Sequence, residues 1–152
     1  MSIDGVLRDA SGLPIREGLD LYEALCVHHR VVLASDSPER DEQWLKMEGL
    51  RSHQEIAGIP PAFLRGTHGL RLAQAEALLG GGGDLSLVVD ADPTAVLEAT
   101  MRGIPAVLFV HPKFARPEWR ADYSHIPRPW DELVAEIETQ RTLAANMKPL
   151  DQ

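Results

Sequence analysis

The chain has 152 residues, 44% of them hydrophobic and 25% charged, with a formal net charge of −8 at pH 7. This composition suits a globular domain with a buried core, and its acidity disfavours broad binding to a nucleic-acid backbone. The sequence shows no signal peptide and no apolar run long enough to span a membrane, and a single cysteine, Cys26, excludes an intrachain disulfide. We therefore expect one cytoplasmic domain over residues 1–152 without membrane contact. A few local cations would still allow a small phosphorylated ligand.

The first half of the chain predicts two helices and a buried strand between them. Apolar residues at helical spacing indicate an amphipathic helix over residues 17–28. The unbroken apolar run 31–34 is typical of a strand buried on both faces. Ser37 and the proline after it form a helix start, and Gly49 ends that helix. Ile56 and Ile59 lie in a short predicted edge strand.

The second half predicts a βαβ unit followed by a final helix. Residues 70–79 read as a helix, and the apolar runs 86–90 and 106–110 read as parallel strands buried on both faces. Gly103 marks the end of the helix between these two strands. An apolar stripe predicts a last helix over about residues 129–145, packed on the sheet.

Two carboxylates lie at the end of the strand at 86–90: Asp90 is its last residue and Asp92 follows two positions later. In open α/β sheets, ligands bind just beyond the carboxyl ends of the strands, so this loop is a candidate site. The alternative is structural: both acids cap the following helix, with Pro93 in its first turn. The loop after the strand at 106–110 carries Lys113 and Arg116, which we expect either to border the same cleft and bind substrate or to be ordinary surface charge.

Three segments carry polar groups at the ends of predicted strands. They are Ser2-Ile3-Asp4-Gly5-Val6-Leu7, Val31-Val32-Leu33-Ala34-Ser35, and Val88-Val89-Asp90 with its helix to Gly103. In this order they resemble the motifs of the haloacid dehalogenase-like (HAD) superfamily of phosphohydrolases. Asp4-Gly5-Val6-Leu7 matches the end of that family's opening motif, Asp-x-Asp-Gly-(Thr/Val)-Leu. The resemblance covers residues 2–110 and suits a capless member, similar to the phosphatase domain of polynucleotide kinases.

The resemblance implies a three-layer, Rossmann-like parallel sheet with helices on both faces and a phosphoaspartate mechanism. In that mechanism one Asp attacks phosphorus, and the position of this nucleophile is Ser2 here. Asp4 would be the general acid and base, and Ser35 would bind a phosphoryl oxygen. Arg71, or alternatively Arg65, would offset the developing charge. The resemblance also implies Mg²⁺, held by Asp4, Asp90 and Asp92.

The sequence departs from this family pattern in ways that bear on catalysis. A serine hydroxyl at position 2 is a weak nucleophile without a positioned base, and replacing Asp also removes a metal-ligating carboxylate. The last motif reads Asp90-Ala91-Asp92, where adjacent acids are usual, which weakens the expected Mg²⁺ site. Since only Met1 precedes Ser2, either the central first strand is truncated or missing, or the true start lies upstream. A missing strand would expose two sheet edges and favour a homo-oligomer.

Three functions follow from these residues. The first is a HAD-like domain with a degenerate site, impaired in catalysis, that binds a ligand or a partner. The second is an active Mg²⁺-dependent phosphatase or nucleotidase acting on a small phosphomonoester or a nucleic-acid end. The third is a non-catalytic, Rossmann-like structural or interaction protein. Fold does not fix function, so the site has to separate them.

Overall fold

The computed structural model describes residues 1–61, 63, 69–111, 133–135, 137–139 and 142. These residues form a mixed α/β structure. Its elements in chain order are α1 (Arg16–His28), β1 (Val32–Ala34), α2 (Pro38–Met47), β2 (Glu55–Ala57), α3 (Leu70–Gly80), β3 (Val88–Asp90), α4 (Pro93–Met101) and β4 (Ala106–Leu108). Residues 133–135, 137–139 and 142 are also helical, within the last predicted helix. Arg65, Lys113 and Arg116 lie outside the described residues.

Local signals in the sequence set the ends of the helices. Pro38 and Pro93 stand in the first turns of α2 and α4, where a missing backbone N–H costs nothing. The Asp92 carboxylate caps α4 by accepting a hydrogen bond from the Thr94 amide at 2.9 Å. After α4, Gly103 takes a φ of +71°, which favours glycine. The predicted boundaries of α1 to α4 are therefore confirmed to within a residue or two, whereas both ends of the last predicted helix lie outside the described residues.

The four strands pair in parallel as two two-stranded sheets. β1 pairs with β2, with Leu33 opposite Ile56, and β3 pairs with β4, with Val89 opposite Val107. The predicted βαβ unit is therefore confirmed, with α4 as the crossover helix packed on both of its strands. The short strand expected at Ile56 and Ile59 is β2, which contains Ile56 but ends at Ala57, so the prediction is wrong for Ile59.

The first three residues lie between the two sheets. The Ala34 amide donates to the Met1 carbonyl at 2.8 Å, and the Ile3 amide donates to the Ala34 carbonyl at 3.2 Å. On the other side, the Ser2 amide donates to the Val89 carbonyl at 2.9 Å. Residues 1–3 thus connect β1 to β3 through backbone hydrogen bonds. Beside them lies a cavity of about 590 Å³, lined by residues of β1, β3 and α3.

The main hydrophobic core surrounds this central segment. Its fully buried members include Ile3, Leu7, Tyr22 and Leu33. The prediction that all three long apolar runs are buried is wrong for β4, where the Val107 side chain is 43% exposed. It is also wrong for the start of the run 86–90, where Leu87 is 36% exposed and β3 begins only at Val88. In the described part of the chain, β4 has a hydrogen-bonded neighbour on one side only, β3, so it is an edge strand. No helix among the described residues is long and apolar enough to cross a membrane.

Candidate functional site

A cavity of about 740 Å³ opens where the central segment, β1 and β3 reach their carboxyl ends. Its charged lining among the described residues consists of Asp4, Arg8, Asp9, Asp36, Arg40, Arg71, Asp90, Asp92 and Glu98. Six of these side chains are acids and three are arginines, so the lining is acidic when all are ionised. The cavity lies where open α/β sheets place their ligands.

Most of the predicted site residues converge on this cavity. Ser2, Asp4, Arg71, Asp90 and Asp92 all line it, although up to 90 positions separate them in the chain. This convergence follows from parallel strands whose carboxyl ends meet at one edge. Ser35 belongs to the same edge but is only 1% exposed and lies behind the cavity wall.

The hydroxyl of Ser2 is committed to a neutral acceptor. It donates to the backbone carbonyl of Asp4 at 3.0 Å, and the residue is 2% exposed. A serine becomes a nucleophile when a base takes its proton, and a carbonyl oxygen is far too weak a base for that task. The geometry around Ser2 therefore provides hydrogen bonding and no activation.

The Asp4 carboxylate is bound by Arg8. Nε of Arg8 lies 2.5 Å from Oδ1 of Asp4, and one terminal nitrogen of the same guanidinium lies 2.6 Å from Oδ1 of Asp41. The guanidinium also lies 5.4 Å from the ring centroid of Trp44, in cation–π range. Burial alone would lower the pKa of Arg8, but its hydrogen bonds to Asp4 and Asp41 outweigh that effect and raise the pKa. Arg8 is therefore a permanent cation between two carboxylates.

Ser35 faces Asp41 rather than the open cavity. Its hydroxyl donates to Oδ2 of Asp41 at 2.5 Å and accepts from the Ser37 amide at 2.9 Å. Asp41 is fully buried. Burial alone would raise the pKa of Asp41, but the hydrogen bonds from Ser35 and Arg8 dominate and lower it. The hydroxyl expected to bind a phosphoryl oxygen is thus occupied by a carboxylate of the same chain.

Arg71 joins two acids that follow different strands. Its guanidinium lies 2.8 Å from the Asp36 carboxylate and 3.3 Å from that of Asp90, and it donates to Oε1 of Gln74 at 3.0 Å. The amide nitrogen of Gln74 in turn donates to the backbone carbonyls of Ser35, Ala57 and Gly58. Gln74 therefore anchors Arg71 to the ends of β1 and β2.

Asp90 and Asp92 both shape the loop before α4. Asp90 accepts a hydrogen bond from the Asp92 amide at 2.8 Å, and Asp92 caps the helix through Thr94. Burial raises the pKa of Asp90, while Arg71 and the Asp92 amide oppose that rise. The hydrogen bonds of Asp90 and Asp92 therefore agree with the structural alternative, in which these acids stabilise the start of α4. Both side chains also line the cavity.

The predicted Mg²⁺ ligands share a cavity without forming a preorganised metal cluster. Across the described ranges, no group of three or more His, Cys, Asp or Glu side chains is arranged to hold a metal ion. Asp4 is paired with Arg8, Asp90 with Arg71, and Asp92 with a helix amide. These carboxylates do not fit a dedicated Mg²⁺ cage.

Sequence reasoning missed three residues that organise the site: Arg8, Asp41 and Gln74. Arg8 follows Asp4 by four positions, but this stretch forms a loop in which such spacing predicts no contact. Asp41 reads as an acid that favours the helix N-terminus, and Gln74 reads as a surface amide. The sequence offered one signal for Asp41 and Gln74: each is a polar residue on a helix face whose other residues are buried.

Comparisons with protein-family models, curated proteins and solved structures give no match for this chain. Function is therefore inferred from the residues of the cavity.

Proposed function

We propose that this chain is a HAD-like domain whose phosphoaspartate catalysis is impaired and which binds a small phosphorylated ligand. The observation that carries the proposal is the state of Ser2. It stands where the family places its nucleophilic Asp, and its hydroxyl donates to the Asp4 carbonyl at 3.0 Å. A group in that state does not attack phosphorus.

The order of the strands supports a HAD-like fold. β1 pairs with β2, β3 pairs with β4, and residues 1–3 bond to both β1 and β3. The resulting order is β2, β1, residues 1–3, β3, β4, with the opening segment in the centre. This order is what a three-layer, Rossmann-like sheet with a short first strand would have. The central position of the opening segment also explains why its polar residues reach the cavity.

The pairing of the other catalytic positions supports impaired catalysis. A general acid has to exchange its proton with the leaving group, but the Asp4 carboxylate is held in an ion pair with Arg8. The Ser35 hydroxyl donates its hydrogen bond to Asp41, so it is not free to donate to a phosphoryl oxygen. Asp4 and Ser35 both lie at the expected edge of the sheet, but each is paired with another side chain of the protein.

The charge balance of the cavity bears on the form of its ligand. Because six acids face three arginines in the described lining, a bare phosphate dianion meets a repulsive field. Mg²⁺ is commonly held by one or two carboxylates together with substrate phosphates, and it does not need a protein cage. We therefore expect the ligand to bind as its Mg²⁺ complex, with Arg71 as the main cation of the protein.

The test is calorimetric binding of an aryl phosphate, 4-nitrophenyl phosphate, with and without Mg²⁺, together with an assay for released nitrophenol. We expect binding that needs Mg²⁺, no turnover, and loss of binding in Arg71→Gln. Arg102→Gln is a matched control, because the Arg102 side chain forms an exposed ion pair with Glu76. Mg²⁺-dependent turnover abolished by Asp4→Asn would instead show an active phosphatase. Absence of binding would favour a structural or interaction protein.

A further inference from the structure

We propose that Ser35 and Arg8 form an oxyanion-binding subsite at the inner end of the cavity, and that the Asp41 carboxylate is its built-in occupant. The contacts of Asp41 are those of a bound anion. Oδ2 accepts from the Ser35 hydroxyl at 2.5 Å, and Oδ1 lies 2.6 Å from the Arg8 guanidinium and 3.3 Å from Nε of Arg40.

The enclosure of these groups distinguishes the subsite from a surface ion pair. Asp41 is 0% exposed and Arg8 is 5% exposed, whereas Arg40 lies at the surface. A buried cation and a buried hydroxyl donor that point at one position create a strong demand for negative charge there. Asp41 meets that demand from the first turn of α2.

This occupant determines what the cavity can bind. Since Asp41 fills the position between Ser35 and Arg8, an external anion cannot bind between these two donors while the carboxylate remains in place. A ligand in the cavity therefore meets the outer pair, Asp36 and Arg71, and not Ser35. This consequence for the ligand rests on the proposed function, but the occupancy of the subsite by Asp41 does not.

The experiment is chemical rescue of Asp41→Ala by formate, the smallest carboxylate. The substitution removes the occupant and leaves space for formate beside Ser35 and Arg8. We expect a lowered melting temperature that rises with formate by roughly 3 °C or more and then levels off, because a ligand that binds only the folded state stabilises it. Sodium chloride at equal ionic strength should give no such rise.

Two further variants separate binding in the subsite from a general salt effect. Asp41→Asn removes the charge but keeps the volume, so formate finds no space and gives no more stabilisation than chloride. Glu39→Ala removes an exposed acid from the same turn of α2 and should respond to both salts like the unaltered chain. If Asp41→Ala does not fold in plain buffer, we expect it to refold from urea in formate and not in chloride.

If Asp41→Ala has the same melting temperature in formate and in chloride, or fails to refold in both, the proposal that Asp41 occupies an oxyanion-binding subsite is wrong. The outcomes for the two proposals are distinct. If the unaltered chain does not bind the aryl phosphate, the proposed function is contradicted, and the result of formate rescue is unaffected. Failed rescue with intact ligand binding would contradict the role of Asp41 alone.

Discussion

Nε of Arg71 lies 3.3 Å from the carboxylate of Asp90, and this contact opposes the effect of burial on that acid. Burial raises the pKa of Asp90, and Arg71 is the largest influence in the opposite direction. The buried acid and its cation both line the cavity, so the same pair affects stability and ligand binding.

We predict that Arg71→Gln makes stability more sensitive to rising pH. A carboxyl group with a raised folded-state pKa loses stability as pH rises from the unfolded-state value, about 3.9, through the folded-state value. Without Arg71 the pKa of Asp90 rises further, so that loss extends to higher pH. Urea unfolding between pH 4 and 8 measures it. Arg102→Gln should keep the slope of the unaltered chain, and an unchanged slope in Arg71→Gln would contradict the role of this pair.

We predict that Asp41→Asn lowers the free energy of unfolding at neutral pH. We also expect that free energy to decrease less in this variant as the pH is lowered. The pKa of Asp41 is lowered in the folded chain, so its stabilisation is present above about pH 3.9 and disappears as pH falls through the folded-state value. Leaving Arg8 without this buried partner should cost about 3 kcal/mol. Urea unfolding at pH 7 and pH 3 gives both quantities.

The matched variant for Asp41 is Glu39→Gln, which neutralises an exposed acid in the same helical turn. It should change the free energy of unfolding by about 0.5 kcal/mol or less. If the free energy of unfolding of Asp41→Asn decreased in acid as much as that of the unaltered chain, the decrease would be due to other carboxylates and the prediction would be wrong.

We predict that the unaltered chain shows no phosphatase activity and that Ser2→Asp introduces weak, Mg²⁺-dependent activity. An aspartate is ionised at neutral pH, whereas the Ser2 hydroxyl must first lose a proton to a base. The gain should be small because Ser35 stays bonded to Asp41. Release of nitrophenol from 4-nitrophenyl phosphate is the measurement, and Ser2→Asp/Asp4→Asn should abolish it. Turnover by the unaltered chain that Asp4→Asn removes would contradict this prediction.

We predict that Trp44→Phe destabilises the chain by about 1 kcal/mol, the usual net contribution of one hydrogen bond. The indole Nε1 donates to the Gly12 carbonyl at 3.0 Å and so ties α2 to the loop that carries Arg8. Phenylalanine keeps an aromatic face near Arg8 but has no donor. Urea unfolding should show Met47→Leu, at a 77% exposed cavity position, within about 0.5 kcal/mol of the unaltered chain. Equal stability of Trp44→Phe and the unaltered chain would contradict a role for this bond.

The secondary structure was predictable because its signals are local. Helices α2 and α4 begin at prolines preceded by capping residue types, and Gly103 ends the turn after α4. The parallel pairing of β3 with β4 follows from two apolar runs joined by a helix. Burial of β4 was predicted wrongly, because an apolar run does not reveal whether other elements will cover both faces of a strand.

The candidate site was predictable in its location but not in its connections. Parallel strands bring Asp4, Asp90 and Asp92 to one cavity, as the positions of the strand ends implied. The expected role of Ser35 did not anticipate Asp41, whose carboxylate accepts a hydrogen bond from the Ser35 hydroxyl. The roles implied by the family resemblance therefore remain predictions, with Ser2 and Asp41 as the positions that test them.

The sequence by itself determined where helices and strands lie and that polar side chains follow three segments of the sheet, because periodicity, caps and turn residues act over a few positions. The tertiary structure decided which charges meet. Arg8 reaches Asp41 across 33 positions, and Gln74 reaches the Ser35 carbonyl across 39. Such contacts depend on how distant segments pack, and Coulomb and hydrogen-bond energies change steeply over the few ångströms that packing sets. No local pattern encodes those distances.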